Sequence, residues 1–101
     1  MSNIKKINPP NQSRNFRIIA GLNQKEVAFL LNIKNFGRIS EWEQGLSNPS
    51  IENLIKLSIV YKTLPDQLYY ELRKILVKEI EGREKLLREI QERKLIKDEG
   101  G

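Results

Sequence analysis

The chain of 101 residues contains no cysteine and no histidine. This excludes thiol nucleophiles, disulfide cross-links, Cys/His zinc sites and imidazole acid–base catalysis, so its stability must come from packing alone. Long apolar runs are also missing, because the longest covers only residues 27–31, whereas a membrane-spanning helix needs about 20 residues. The first residues, MSNIKK, lack the apolar segment of an export signal. The sequence therefore predicts a cytoplasmic protein without a membrane segment.

The acidic residues are not arranged as an active site would require. Asp, Glu, Lys, Ser and Tyr are present, but no pair of them stands at a spacing that suggests a catalytic centre. A nuclease would need clustered carboxylates to hold a metal ion, whereas the acids of the last third alternate with bases. We therefore expect no enzyme, no metal site and no cofactor.

The net charge of +5 is confined to one part of the chain. Residues 1–62 carry nine Lys or Arg against four Glu, whereas residues 63–101 carry nine bases and nine acids. An apolar content of 39% at this length supports a single small core. A basic excess in one segment suits a polyanion such as DNA.

Hydrophobic spacing predicts short helices, and no segment alternates as a strand would. The first helix is expected over residues 12–20. Asn23 and Glu26 form a capping box that begins the second helix, and Asn32, which tolerates left-handed backbone, ends it. The third helix should run from residue 35 or 36 to Gln44, with Gly45 closing it.

Two further helices follow the turn at residues 47–49. Ser50 is expected to cap the fourth helix and Thr63 the fifth, with Pro65 tolerated in the first turn. The apolar positions of the fourth helix are Ile51, Leu54, Ile55, Leu57 and Tyr61, together with Ser58. In the third helix, the spacing of Ile39 and Trp42 places both side chains in the core rather than on a ligand surface.

A charged amphipathic helix is predicted over residues 73–97. Its apolar stripe begins just before it and consists of Leu72, Leu76, Ile80, Leu87 and Ile90, with Arg83 at an interrupted position. Four Glu residues lie four positions before a base, a favourable arrangement for ion pairs: Glu79–Arg83, Glu81–Lys85, Glu84–Arg88 and Glu89–Arg93. Such a stripe needs a surface to cover, supplied by the same domain, by a second copy or by another protein.

Three segments together carry a family resemblance. They are residues 21–33 (GLNQKEVAFLLNI), 39–45 (ISEWEQG) and 48–50 (NPS). This set resembles the XRE, or lambda-repressor/Cro-like, helix-turn-helix family, with the likeness covering about residues 12–72. Ile39 follows Ile33 by six residues, one more than is usual in the family, so the extra residue must be absorbed within residues 34–38.

The resemblance implies an all-α fold, a five-helix lambda-repressor-like DNA-binding domain with a long C-terminal helical extension. The predicted organisation is a flexible basic arm (1–11), the DNA-binding domain (12–72), the charged helix (73–97) and a disordered tail (98–101). The implied partner is double-stranded DNA. The third helix would enter the major groove while the second crosses the backbone above it.

Individual roles follow from the resemblance and from base chemistry. Asn35 would read adenine and Arg38 guanine, because each side chain can bond two atoms on those base edges. Ser40 and Glu41 are further candidates for base contacts, with an intramolecular salt bridge as the alternative for Glu41. Phe36 would touch a thymine methyl or pack against the second helix.

The phosphate contacts are assigned in the same way. Gln24 would bind a phosphate and brace the reading residues, and Lys34 and Asn48 would hold phosphates. Simple exposure to solvent is the alternative for all three. The predicted DNA-binding residues are therefore Gln24, Lys34, Asn35, Phe36, Arg38, Ser40, Glu41 and Asn48.

The leading hypothesis is a sequence-specific transcriptional regulator, a repressor that acts by occupying its operator as a homodimer on a palindromic site. A monomer with the last helix folded back is the alternative assembly. Two other functions stay open: the antitoxin of a toxin–antitoxin pair, and an adaptor that binds a protein partner through the C-terminal helix.

Overall fold

The computed structural model describes residues 11–97, with side chains as far as residue 94, and this part of the chain is all-helical. Six helices follow one another: α1 (Ser13–Ile19), α2 (Gln24–Leu31), α3 (Gly37–Gln44), α4 (Ile51–Val60), α5 (Pro65–Leu68) and α6 (Tyr70–Lys97). The predicted fold class, five helices and a long extension, is confirmed. The arm at residues 1–10 and the tail at residues 98–101 lie outside the described residues.

The core lies between α2, α3 and α4, with α1 against α3 and α5 against α4. Its buried hydrophobic side chains are Val27, Ala28, Leu31, Ile39, Trp42, Leu57, Tyr61 and Leu68. Trp42 is only 2% exposed, so the prediction that it belongs to the core is confirmed. Burying such a large aromatic surface is a major stabilising contribution in so small a domain.

The predicted ends of α2 are confirmed in detail. The Asn23 side chain accepts a hydrogen bond from the Glu26 backbone N–H at 2.8 Å, and Glu26 accepts one in return from the Asn23 N–H at 2.9 Å. Asn32 ends the helix in left-handed backbone with φ of 62°. Gly45 ends α3 in the same way, with φ of 77°, a conformation that glycine adopts without steric cost.

The predicted cap of the fifth helix is wrong by one residue. Leu64, not Thr63, is the N-cap of α5, and its side chain makes no capping hydrogen bond. The cause is Pro65, which is the first helical residue and forces the residue before it into extended backbone. Leu64 accordingly has φ of −95° and ψ of 151°.

The predicted apolar face of α4 is only partly buried. Leu57, Ser58 and Tyr61 lie in the core, but Ile51 is 78% exposed and Ile55 is 48% exposed. Both isoleucines fall to one side of the face that contacts the core. On α2, Leu30 is likewise half-exposed, although it lies three residues after buried Val27. Helical spacing of apolar residues therefore does not by itself distinguish core positions from surface positions on these two helices.

The last helix projects from the rest of the molecule. Its 28 residues span about 42 Å at 1.5 Å per residue, and the described chain is 64 Å long in its longest dimension. The described side chains of this helix make only one ion pair, between Arg73 and Asp66 of α5. The four predicted Glu–base pairs are therefore not formed. α6 runs through residue 72 without a break, and the predicted domain boundary there stays a prediction.

Within residues 11–97, no helix combines the length and the apolar character that a bilayer crossing requires.

Candidate nucleic-acid interface

The α2–α3 pair forms the centre of the candidate interface. After Leu31 the chain turns through left-handed Asn32, and the Ile33 N–H closes the turn on the Ala28 carbonyl at 2.8 Å. Residues 32–36 connect the two helices, and α3 begins at Gly37. The extra residue expected from the sequence is thus absorbed before α3, and the helix starts one or two residues later than predicted.

Phe36 is the N-cap of α3 and makes no side-chain capping bond, but the Asn35 side chain just before it bonds to the first residue of the helix. The Asn35 Oδ1 accepts a hydrogen bond from the Gly37 N–H at 2.9 Å. A Cβ at position 37 would lie 3.0 Å from this oxygen, so a larger residue there would require the Asn35 side chain to shift by a few tenths of an ångström. This bond turns the amide oxygen toward the helix, and the Asn35 side chain as a whole is exposed.

Arg38 and Phe36 lie beside Asn35 at the same end of α3. The Arg38 guanidinium lies 5.7 Å from the centre of the Trp42 ring, within the range of a cation–π contact. The Lys25 Nζ of α2 lies 5.3 Å from the centre of the Phe36 ring. Phe36 therefore contacts α2 through Lys25. Because 42% of Phe36 is exposed, it also keeps a surface open to solvent.

Ser40 and Glu41 make contacts within their own region. The Gln44 amide donates to Ser40 Oγ at 2.6 Å, and the Ser47 hydroxyl donates to Glu41 Oε1 at 3.4 Å. Among the described side chains, Glu41 has no ion-pair partner, so the salt bridge considered as its alternative is not formed. Both residues are on α3, and Glu41 is exposed.

Lys34 and Asn48 are exposed on the connections that precede and follow α3. The structure thus groups Lys34, Asn35, Phe36 and Arg38 at the start of α3 and places Asn48 beyond its end. Gln24 is held elsewhere, because its amide donates to Glu43 Oε1 at 3.1 Å. This bond links the first residue of α2 to the inner side of α3.

The sequence analysis missed an ion pair beneath the interface. Arg17 Nε donates to Glu43 Oε2 at 2.6 Å and Arg17 Nη2 donates to Oε1 at 3.2 Å, while Nη1 donates to the Leu22 carbonyl at 3.1 Å. The two side chains are only 12% and 4% exposed. The hydrogen bond to Glu43 raises the pKa of Arg17, against the opposing effect of burial.

A sequence signal for this pair does exist. Glu43 follows Ile39 by four residues, so the two side chains share one face of α3. Since Ile39 points into the core, an acid at position 43 requires a buried partner. The sequence does not indicate which of its bases is that partner, because Arg17 is 26 residues away.

Comparison with known proteins places this arrangement in a family. Residues 14–68 match the family model HTH_3, described as helix-turn-helix. The chain belongs to this helix-turn-helix family. The predicted XRE-type resemblance is thereby confirmed, and the family assigns the chain to DNA-binding transcriptional regulators, which points to a non-enzymatic function. Residues 69–101 lie beyond the matched segment.

One solved structure supports the same assignment. The chain is similar to the restriction-modification controller protein C.AhdI from Aeromonas hydrophila, with 29% sequence identity and a TM-score of 0.52. The similarity covers 57% of this chain and 86% of that one. No curated protein matches the chain.

Proposed function

We propose that this helix-turn-helix protein binds a specific double-stranded DNA sequence through the start of α3 and represses transcription by occupying its operator. The observation that carries the proposal is the group of exposed side chains at the start of α3: Asn35, Phe36 and Arg38, with Lys34 just before them. In helix-turn-helix proteins this end of the recognition helix meets the base edges in the major groove. The likeness to a restriction-modification controller protein also favours a regulatory role.

Arg38 is the strongest candidate for reading a base. Its guanidinium is exposed and lies over the ring of Trp42, which is fixed in the core. A guanidinium can donate two hydrogen bonds to O6 and N7 of guanine, the commonest specific contact in the major groove. The contact with Trp42 restricts the side chain, so less conformational entropy is lost when DNA binds.

Asn35 reads a base with a side chain that already carries a structural bond. Its Oδ1 accepts from the Gly37 N–H, but a carbonyl oxygen has two lone pairs and the amide nitrogen has two protons to donate. The amide nitrogen can therefore donate to adenine N7 while the second lone pair of the oxygen accepts from adenine N6. The bond to the Gly37 N–H fixes the direction of the remaining donor and acceptor groups of the Asn35 amide.

The surrounding polar groups position the protein on the DNA backbone. Lys34 neutralises a phosphate, and Asn48 and Gln24 bond to phosphate oxygens. The bond from Gln24 to Glu43 leaves one amide proton and the amide oxygen of Gln24 unused. Ser40 and Glu41 lie one turn further along α3, where Glu41 would accept from cytosine N4, and Phe36 would contact a thymine methyl.

The protein acts as a homodimer on a palindromic site. A two-fold pair of domains presents two α3 helices to successive major grooves, about 34 Å apart. One domain of this size makes few base contacts, and doubling them multiplies both affinity and specificity.

The test is a selection of bound duplexes from a random pool at about 150 mM salt. We expect enrichment of one motif with two-fold symmetry and half-sites one helical turn apart. Arg38→Ala is the matched variant, and its enriched motif should lose one guanine in each half-site. A selected pool with no motif beyond the starting composition would overturn the proposal.

A second candidate function is an antitoxin or adaptor that holds another protein on α6. The apolar side chains of this helix that stay exposed, among them Leu86, Leu87 and Ile90, favour it. It predicts a complex of fixed stoichiometry with a small co-expressed protein. The adaptor form also predicts no salt-dependent affinity for duplex DNA, which separates it from the leading proposal.

A further inference from the structure

Lys25 lies against the aromatic ring that precedes the first residue of α3. Its Nζ is 5.3 Å from the centre of the Phe36 ring, within the range of a cation–π contact. The two residues belong to different elements, since Lys25 is the second residue of α2 and Phe36 is the N-cap of α3. Both are exposed. The contact therefore lies on the surface and joins the two helices of the candidate interface.

No interaction within α2 accounts for a lysine at this position. Among the described side chains, Lys25 has no ion-pair partner. None of the residues three or four positions away in the sequence is acidic: Gly21, Leu22, Ala28 and Phe29. Lys25 also stands in the first turn of the helix, where the helix dipole is positive and a base is unfavourable. Its charge is therefore available to a partner outside the chain.

The proposed mode of DNA binding supplies such a partner. In a helix-turn-helix, the helix before the recognition helix crosses the phosphate backbone, while the start of the recognition helix enters the major groove. An exposed base at the start of α2 then lies near phosphates, and its ammonium group has three protons to donate. The Phe36 ring has two faces, so the contact of Lys25 with one face leaves the rest of the ring free to meet a base.

The neighbouring charges favour the same partner. Lys34 and Arg38 stand two residues before and two residues after Phe36, and both are exposed. Neither makes an ion pair with another described side chain. With Lys25, three bases therefore surround the ring, and this end of the interface attracts a polyanion.

We propose that Lys25 is a further DNA-binding residue, which binds a backbone phosphate and holds the Phe36 ring against a thymine methyl. The phosphate contact contributes affinity for any duplex. The contact with the ring contributes specificity, because it fixes the position of a side chain that meets a base edge. Lys25 is thus a positioning residue for Phe36 as well as a phosphate ligand. This inference rests on the proposed function and adds a second residue of α2 to the interface.

The phosphate contact is tested with a matched pair of lysines. Lys74 of α6 is also exposed, and its Nζ likewise lies 5.3 Å from the centre of an exposed aromatic ring, that of Tyr70. Anisotropy gives the affinity of the full chain for a random duplex at several salt concentrations. Lys25→Ala should weaken binding about tenfold at 0.1 M salt and lower the salt slope by about one unit. Lys74→Ala should leave both unchanged. Equal results for the two variants would overturn the phosphate contact.

Urea denaturation of the same variants separates this role from a structural one. Because a base in the first turn opposes the helix dipole, Lys25→Ala should keep the midpoint of unfolding or raise it slightly. A midpoint that falls together with the DNA affinity would assign Lys25 to the stability of the fold and would overturn the proposal.

The positioning role is tested by removing single methyl groups from the DNA. Each thymine of the selected duplex is replaced in turn by uracil. The unsubstituted chain should lose about fourfold in affinity at one position of each half-site, the loss expected for one buried methyl. Lys25→Ala and Phe36→Ala should abolish this loss, whereas Lys25→Arg, which keeps the charge and stacks on an aromatic ring, should retain it. A loss that persists in Lys25→Ala, or no loss at any thymine in the unsubstituted chain, would overturn the positioning role.

The results also separate this inference from the proposed function. A selected motif whose binding does not depend on Lys25 would refute the inference and leave sequence-specific binding in place. A selection without any motif would overturn the proposed function, while the salt slopes on the random duplex would still decide whether Lys25 binds a phosphate.

Discussion

Arg17 of α1 and Glu43 of α3 form a buried ion pair with two hydrogen bonds, of 2.6 Å and 3.2 Å. Gln24, the first residue of α2, donates a third hydrogen bond to the same carboxylate. One acidic side chain thus links the first three helices. Because the proposed base-reading residues lie on α3 or just before its start and Gln24 lies on α2, the pair fixes the two parts of the DNA-binding surface relative to each other.

Breaking this ion pair on one side should be costly. Arg17→Met leaves the Glu43 carboxylate buried without its charged partner, so we expect the free energy of unfolding to fall by about 3–5 kcal/mol. Urea denaturation followed by circular dichroism measures the loss. The double variant Arg17→Met with Glu43→Leu removes the uncompensated charge and should recover much of the stability.

The exposed ion pair of the same chain is the control. Arg73 and Asp66 are 58% and 68% exposed, so Arg73→Met should change the free energy of unfolding by less than about 1 kcal/mol. Equal losses for Arg17→Met and Arg73→Met would show that the buried pair has no special role in holding α1 and α3 together.

Asn35→Asp separates the structural role of position 35 from its role in DNA binding. A carboxylate can still accept from the Gly37 N–H and is favourable at a helix N-terminus, so stability should change by less than about 1 kcal/mol. DNA affinity should fall by at least tenfold, because a negative charge would face the nucleic acid. Anisotropy titrations and urea denaturation of the same preparation give both quantities. Unchanged affinity for the selected duplex would remove Asn35 from the interface.

Arg38→Ala and Lys34→Ala should weaken DNA binding in different ways. Loss of a two-bond contact to guanine costs about 1–3 kcal/mol at one base position and relaxes the preference there. Loss of a phosphate contact weakens binding to all duplexes alike and lowers the salt slope by about one unit. Affinities for a set of single-base variants of the selected site distinguish the two outcomes. Uniform weakening by Arg38→Ala would assign Arg38 to the backbone.

Stability should decline at alkaline pH because of Tyr61. Burial raises the pKa of its phenol, and nearby Glu43 raises it further while Arg17 lowers it. The unfolded chain therefore loses this proton near pH 10 while the folded chain keeps it. The folded state then binds more protons than the unfolded state, so the free energy of unfolding falls as pH rises above about 10.

Tyr61→Phe should flatten this decline between pH 9 and 11 in urea denaturation. Among the described residues, the Tyr61 hydroxyl has no hydrogen-bond partner, so its removal should cost little stability at pH 7. Burial also raises the pKa of Tyr69, which leaves part of the decline in place. Exposed Tyr70 provides the comparison, and a Tyr70→Phe variant with the same flattening would contradict the assignment to Tyr61.

Features that depend on near neighbours in the sequence were predicted well. The capping box of Asn23 and Glu26 and the closing Gly45 each use a local hydrogen bond or a local backbone preference, and each was placed correctly. Trp42 was assigned to the core from its spacing to Ile39. Such rules depend only on residues a few positions apart, which a sequence displays directly.

Features that depend on competition between neighbours or on distant contacts were missed. Thr63 is a good capping residue, but Pro65 forced that position to Leu64. Ile51 and Ile55 have helical spacing, yet only the packing of α4 decides which face is buried. The bond between Arg17 and Glu43 joins residues 26 positions apart, and no local pattern shows which base lies opposite the acid.

The most direct test of the account is fluorescence anisotropy of labelled duplexes, one of random sequence and one from the DNA upstream of the gene for this protein, titrated at several salt concentrations. Sequence-specific DNA binding predicts that the upstream duplex binds more tightly. It also predicts that the logarithm of the affinity falls linearly with the logarithm of salt concentration, by about 0.9 for each phosphate contacted. Absence of binding to either duplex at low salt would contradict direct DNA recognition by α3.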